Sequence, residues 1–260
     1  MKLQPGRHFF GLGAMGYGVI TLVWHQVHWF GVVSPPVILI YIVGIAELAS
    51  GIAMQWDTTA SYGAALFGAI FFILSLRWIP AIVKTPLVFG YWGNFFELFS
   101  IVLGGVFIFT PAVEGHRGIT LKMASAAYVC YAVCVVSFGL YQLFYLKYTA
   151  ELVPKWIPPG QMFWAVGTTI AFALAAAGMF LGRSALLSMR LLTAMIILFG
   201  LLVWVQPSFA DPGNVSNWSE LVETFAIAGV SWVVADFLSR PEAIPARWPL
   251  ANIQHRRTGD

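Results

Sequence analysis

Charged residues are scarce in this sequence. They make up 10% of its 260 residues, against 59% apolar and 16% aromatic residues. A water-soluble domain carries about 25% charged and about 45–50% apolar residues, so this composition excludes a soluble domain and intrinsic disorder. The net charge of +3 provides no basic stripe for nucleic acid, and two cysteines are too few for a disulfide scaffold. The remaining class is a chain whose solvent is mostly lipid.

Eight long apolar runs fit that class. A bilayer core about 30 Å thick needs about 20 apolar residues per helix, and the runs are apolar all round, which is typical of helices rather than of barrel strands. Clusters of Pro, Gly, Asp and Asn separate them. The predicted spans are 9–33, 36–54, 62–83, 89–109, 123–146, 161–181, 185–205 and 218–238.

Eight spans place both termini on one side of the membrane. That side carries ten of the 14 Lys and Arg residues, and the other side carries four. Because positive charge marks the cytoplasmic side, we expect cytoplasmic termini and a location in the plasma (inner) membrane. The first run is too long for the apolar core of a signal peptide and is predicted to be a span.

The chain repeats itself at a spacing of 126 residues. Each unit contains four spans, an even number, so the second copy enters the membrane in the same orientation and the repeat is parallel. We predict units at 1–115 and 116–240, followed by a cytoplasmic tail at 241–260. The alternative is that Trp and Pro recur because membrane interfaces favour them. The matched pairs are Trp78 with Trp204, Trp92 with Trp218, Glu97 with Glu223, and Phe99 with Phe225.

Two segments resemble a known family. The segment GIAELASG at 44–51 follows a Pro-Pro turn, and VPKWIPPGQMFW at 153–164 stands at the corresponding place in the second half. Both are similar to DoxX/DoxD-like integral membrane proteins, whose unit is a four-helix bundle. The second copy has Ile170 where Glu47 would align. The resemblance implies two fused units in a bacterial membrane, and relatives of this kind include the large subunit of a thiosulfate:quinone oxidoreductase.

Ionisable side chains inside the predicted spans are candidate functional groups, because each costs about 2.5–3.5 kcal/mol on insertion scales. Several lie in the outer half of the first unit, together with aromatic side chains. A head group at this depth needs a donor and an acceptor, which His and Glu supply. The candidate ligand-binding cluster is His25, His28, Glu47, Arg77, Glu97, Trp78 and Trp92.

Within this cluster we expect an ion pair between Arg77 and Glu97 and a hydrogen bond between His25 and Glu47. Three interpretations stay open. The cluster is a polar network that fixes helix register, a site for a quinone or another amphipathic ligand, or a path for protons or ions through Glu47.

Other polar residues are predicted to be structural. Glu220 and Glu223 are expected in the first turn of the last helix, where acids favour the helix dipole, with Asn217 as the N-cap. Asp236 is expected to pair with Arg240 at i+4.

No metal site is predicted. Haem between helices needs two histidines on facing spans, whereas His25 and His28 share one helix, and no Glu-x-x-His pair lies in a span. Cys130 and Cys134 stand at i, i+4 rather than in a Cys-x-x-Cys motif, so they are expected to be packing residues.

These observations predict an all-α polytopic membrane protein that is the membrane subunit of a quinone-linked redox system. The alternative is a non-catalytic membrane scaffold or accessory subunit of a larger complex, so whether the chain is an enzyme stays open. A transporter is less favoured, since no span is broken at its centre at matching places in both halves.

Overall fold

A computed structural model describes residues 4–26, 36–110, 117–182 and 184–239. All regular elements in these ranges are helices. They are α1 (Pro5–Trp24), α2 (Val37–Ala53), α3 (Ala60–Leu76), α4 (Ile79–Lys84), α5 (Phe89–Phe109), α6 (Arg117–Phe144), α7 (Leu146–Leu152), α8 (Gln161–Leu181), α9 (Ala185–Phe199), a π-helical turn (Gly200–Trp204), α10 (Val205–Ala210) and α11 (Val215–Leu238).

Six stretches of helix are long and apolar enough to cross a bilayer: Ala60–Lys84, Phe89–Phe109, Lys122–Phe144, Gln161–Leu181, Ala185–Ala210 and Val215–Leu238. The prediction of a polytopic helical membrane protein is therefore confirmed. α2 is apolar but has only 17 residues, and α1 is not among the six stretches. Eight spans stay a prediction.

The first helix is shorter than the first predicted span. It ends at Trp24, because His25 adopts a left-handed backbone conformation with φ of 50° and closes the helix. The prediction that helix continues to residue 33 is wrong at residues 25 and 26, and residues 27–35 lie outside the described residues.

The outside of the bundle is apolar. Leu87 is 97% exposed, Ile38 72% and Leu174 66%, although all three are large apolar residues. Water would penalise such a surface, whereas lipid tails accept it. The bundle is therefore built for a bilayer environment.

Small residues allow α1 and α2 to pack closely. A Cβ added to Gly18 would lie 2.5 Å from the backbone N of Leu48 and 2.7 Å from the carbonyl oxygen of Gly44. A Cβ on Gly51 would lie 2.5 Å from the carbonyl oxygen of Gly11. Only glycine fits at these crossings, as is typical of membrane helix pairs.

The packing of the helices follows the pattern that a two-fold axis would give. Within the first half α1 packs on α2, α2 on α3 and α3 on α5, while in the second half α6 packs on α8, α8 on α9 and α9 on α11. Between the halves, α1 packs on α11, and α5 packs on α6. In both contacts the first helix of one half packs on the fourth helix of the other half. α5 and α11 pack on each other and therefore lie where such an axis would pass.

Local structure also repeats at the spacing of 126 residues. The indole nitrogen of Trp92 donates to the carbonyl oxygen of Pro86 at 3.0 Å, and that of Trp218 donates to Pro212 at 3.1 Å. α4 and α10 occupy equivalent positions, each after an interruption of the third helix of its half. These interruptions lie toward one end of the spans. The matches favour the predicted division at 1–115 and 116–240, which stays a prediction.

Candidate functional site

The predicted cluster divides into separate groups. The Thr21 hydroxyl donates to the carboxylate of Glu47 at 2.8 Å, and the ring of His25 pairs with the Tyr41 hydroxyl at 2.7 Å. The predicted hydrogen bond between His25 and Glu47 is therefore wrong, because His25 lies beyond the end of α1 and turns to Tyr41. His28 lies outside the described residues.

The predicted ion pair between Arg77 and Glu97 is also not formed. The Arg77 guanidinium lies 5.6 Å from the ring centre of Trp78, and its buried Nη1 has no hydrogen-bond partner. Arg77 stands at the interruption between α3 and α4, while Glu97 lies inside α5. Similar depth along two helices is not enough to bring side chains together, since each helix also sets the direction in which its side chain points.

The two predicted tryptophans have structural contacts. Trp78 stacks on Tyr91 with ring centres 6.0 Å apart. Trp92 uses its indole N–H on Pro86 and stacks on Phe96. These contacts anchor the start of α5, and a role of either side chain in ligand binding stays a prediction.

The polar groups of α1 and α2 form what we call the α1–α2 seam, made of Thr21, His25, Tyr41 and Glu47. Glu47 is 2% exposed, whereas Tyr41 is 41% exposed and His25 is exposed at the end of its helix. The seam thus runs from a buried carboxyl to an imidazole and a phenol on the outer surface of the bundle. It offers both hydrogen-bond donors and acceptors to a molecule that approaches from the bilayer.

Glu220 and Glu223 are not capping residues. α11 begins at Val215, and its N-cap is Asn214, whose side chain accepts a hydrogen bond from the backbone N–H of Ser216 at 3.1 Å. Both glutamates therefore lie beyond the first turn. Asn217 instead donates to the carbonyl oxygen of Pro207, so the predicted cap is wrong.

The glutamates belong to a second group, which we call the axial acid cluster: Glu97 of α5 with Glu220 and Glu223 of α11. The charges of Glu97 and Glu220 interact, and both interact with Glu223. Glu223 is 4% exposed, and its Oε1 has no hydrogen-bond partner. No Lys, Arg or His in the described ranges pairs with these carboxylates; the salt bridge found there joins Arg7 and Asp57.

Tyrosines border the axial acid cluster. Tyr141 of α6 interacts electrostatically with Glu97 and Glu220, and Tyr148 of α7 interacts with Glu220. Partial burial, followed by the charges of Glu220 and Glu151, raises the pKa of Tyr148 above its ordinary value. Since α7 lies outside the spanning stretches, Tyr148 marks the surface end of this group.

The sequence contains the signal for this cluster. Glu97 and Glu223 are one of the pairs at the spacing of 126 residues. Equivalent residues of two units meet only where they lie next to the axis, and a sequence does not give that position. The packing of α5 on α11 supplies it.

A third polar group lies at the opposite end of the bundle. Arg7 forms its ion pair with Asp57, His8 pairs with Gln55 at 3.0 Å, and the backbone N–H of Gly6 donates to Asp236 at 2.9 Å. These contacts tie α1 to the loop after α2 and to the end of α11. The predicted partner of Asp236, Arg240, lies outside the described residues.

Cys130 is exposed, Cys134 is buried, and both are free thiols. Across residues 4–26, 36–110, 117–182 and 184–239, no three His, Cys, Asp or Glu side chains come together in a way that could hold a metal ion.

Comparison with known proteins gives no relative from which to transfer a function. No family model matches the chain. No curated protein and no solved structure matches it either.

Proposed function

We propose that this chain is a DoxX-type protein of the bacterial plasma membrane, with cytoplasmic termini, and that it is the membrane subunit of a quinone-linked redox system. The quinone head group binds at the α1–α2 seam. Protein partners supply or accept the electrons, since quinone reduction takes up two electrons and two protons.

The observation that carries the proposal is the position of His25 and Tyr41 on the exposed outer surface of the bundle. A quinone diffuses within the bilayer and reaches a protein from its lipid side. Each quinone carbonyl oxygen accepts a hydrogen bond, and the His25 ring and the Tyr41 hydroxyl, 2.7 Å apart, are potential donors. Such an exposed pair suits an amphipathic head group better than the buried interior of the bundle does.

The inner part of the seam supports the same function. Glu47 is held by the Thr21 hydroxyl at 2.8 Å, in the neighbouring part of the α1–α2 interface. Carboxyl groups at this depth are costly and usually take part in function. Here Glu47 orients the hydrogen-bonding groups of the seam. It is the buried group closest to the proposed quinone site that can exchange a proton.

The test is the quinone content of the full chain purified in mild detergent. We expect quinone to co-purify with the wild type. The amount of bound quinone should be about fivefold or more lower in His25→Ala, Tyr41→Phe and Glu47→Gln, because one lost hydrogen bond costs about 1 kcal/mol. Tyr62→Phe is the matched control, since Tyr62 is 75% exposed on α3. It should retain quinone.

The alternative function is a non-catalytic scaffold or accessory subunit. The buried bond between Thr21 and Glu47 also suits a contact that only fixes the register of two helices. Absence of quinone from all five samples, with lower thermal stability of Glu47→Gln, would contradict the redox proposal and favour this alternative.

A further inference from the structure

The axial acid cluster has a symmetry that the function proposed above does not use. Glu97 stands eight residues after Phe89, the first residue of α5, and Glu223 stands eight residues after Val215, the first residue of α11. At 1.5 Å per residue both lie about 12 Å along their helices. The two helices pack on each other, and the carboxyl groups of Glu97 and Glu223 interact electrostatically.

Among the described residues, no cationic side chain forms an ion pair with these carboxyl groups. On the helices packed against α5 and α11, Arg77 at the end of α3 lies over Trp78, whereas Lys84 of α4, Lys122 of α6 and Arg190 of α9 are exposed. His8 of α1 pairs with the side chain of Gln55. Arg7 of α1 is paired with Asp57. Tyr17, also on α1, packs against Phe rings of α3. α6 contributes Tyr141, which is a neutral group at ordinary pH.

A second observation does not depend on the carboxyl charges. Ser219 lies one turn before Glu223, and residues at i and i+4 share a helix face. Its side chain is 0% exposed and its hydroxyl oxygen has no hydrogen-bond partner, just as Glu223 Oε1 has none. A buried polar atom without a partner costs about 1–3 kcal/mol, so two on one face indicate that this face holds something further.

Exposure rises from this point toward the surface. Glu223 is 4% exposed, Glu97, Glu220 and Tyr141 are half-buried, and Tyr148 is 54% exposed. Electrostatic interactions join them in the same order. This series of side chains therefore leads from the centre of the bundle to the aqueous side on which α7 lies.

We propose that Glu97 and Glu223 bind an exchangeable proton, taken up from the aqueous side through Glu220, Tyr141 and Tyr148. The proton removes the repulsion between two carboxylates in an apolar bundle. Its uptake and release involve no bond other than the carboxyl O–H. The site is separate from the α1–α2 seam, so it stands or falls independently of quinone binding.

Infrared spectroscopy of the purified full chain at neutral pH tests the proposal. Protonated carboxyl groups give a C=O stretching band that shifts when D₂O replaces H₂O, whereas ionised surface carboxylates do not contribute. We expect a shifting band in the wild type and its loss in the double variant Glu97→Gln/Glu223→Gln. Glu151→Gln is the control for an exposed glutamate and should leave the band intact, and Glu47→Gln identifies any part that belongs to Glu47.

A second measurement remains decisive if the spectra overlap. Loss of the bound proton at alkaline pH leaves two buried negative charges, so the wild-type melting temperature should fall as the pH rises from neutral. Glutamine cannot ionise, and the double variant should lose this part of the fall. A wild type without a shifting band, a double variant that keeps the whole band, or equal pH dependence of both proteins would overturn the proposal.

Discussion

Replacing Gly18 with Ala tests the close contact on which the α1–α2 seam depends. The new Cβ would lie 2.5 Å from the backbone N of Leu48 and 2.7 Å from the carbonyl oxygen of Gly44. Both are backbone atoms, so they cannot move aside as a flexible side chain can, and the two helices must separate. Separation also stretches the hydrogen bond from Thr21 to Glu47, which lies one turn farther along.

The magnitude follows from three terms. Overpacking costs about 1–3 kcal/mol and the weakened hydrogen bond about 0.5–1.5 kcal/mol, while alanine gains about 1 kcal/mol over glycine inside a helix. We therefore expect Gly18→Ala to lower the free energy of unfolding by about 0.5–3.5 kcal/mol. Gly167→Ala is the matched control, because its Cβ would meet nothing within 4 Å. It should stabilise by about 0.5–1 kcal/mol.

Unfolding in mixed detergent micelles, followed by circular dichroism, measures both variants beside the wild type. The predicted order of stability is Gly167→Ala, wild type, Gly18→Ala. Equal stability of the two alanine variants would refute the reasoning, since it would mean that α1 and α2 do not pack at the distance described.

Two further changes probe the second half of the chain. Tyr131→Phe removes the buried hydrogen bond between the hydroxyl groups of Tyr131 and Ser231, which are 2.7 Å apart. The free energy of unfolding should fall by about 0.5–1.5 kcal/mol in the same assay. Adding Ser231→Ala to the Tyr131→Phe variant should lower it little further. Glu220→Gln should lower the pKa of Tyr148, because a nearby negative charge disfavours the phenolate. The phenolate absorbance lost in Tyr148→Phe reports that titration, and an unchanged titration would contradict the interaction of Tyr148 with Glu220.

Much of the fold is predictable from the sequence, because bilayer thickness and chain breakers determine helix length. The predicted spans 89–109 and 161–181 coincide with α5 and α8. The end of α1 was not predictable in this way. It depends on the left-handed conformation of His25, and the apolar run continues past that residue without a breaker.

The candidate site is less predictable, and the reason is geometric. Counting residues from a loop gives the depth of a side chain, but consecutive residues of a helix point about 100° apart. Arg77 and Glu97 have suitable depths and do not meet. Glu97 and Glu223 are separated by 126 residues and do interact electrostatically, because α5 packs on α11. Side-chain direction and helix neighbours are properties of the packed bundle.

Photoaffinity labelling tests the central claim, quinone binding at the α1–α2 seam, most directly. A photoreactive quinone analogue is added to the full chain in lipid vesicles, and the labelled peptides are identified. The account predicts labelling of the segments that contain His25 and Tyr41, competed by unmodified quinone and reduced by Tyr41→Phe but not by Tyr62→Phe. Labelling that is absent, that is not competed, or that falls only on other helices would contradict it.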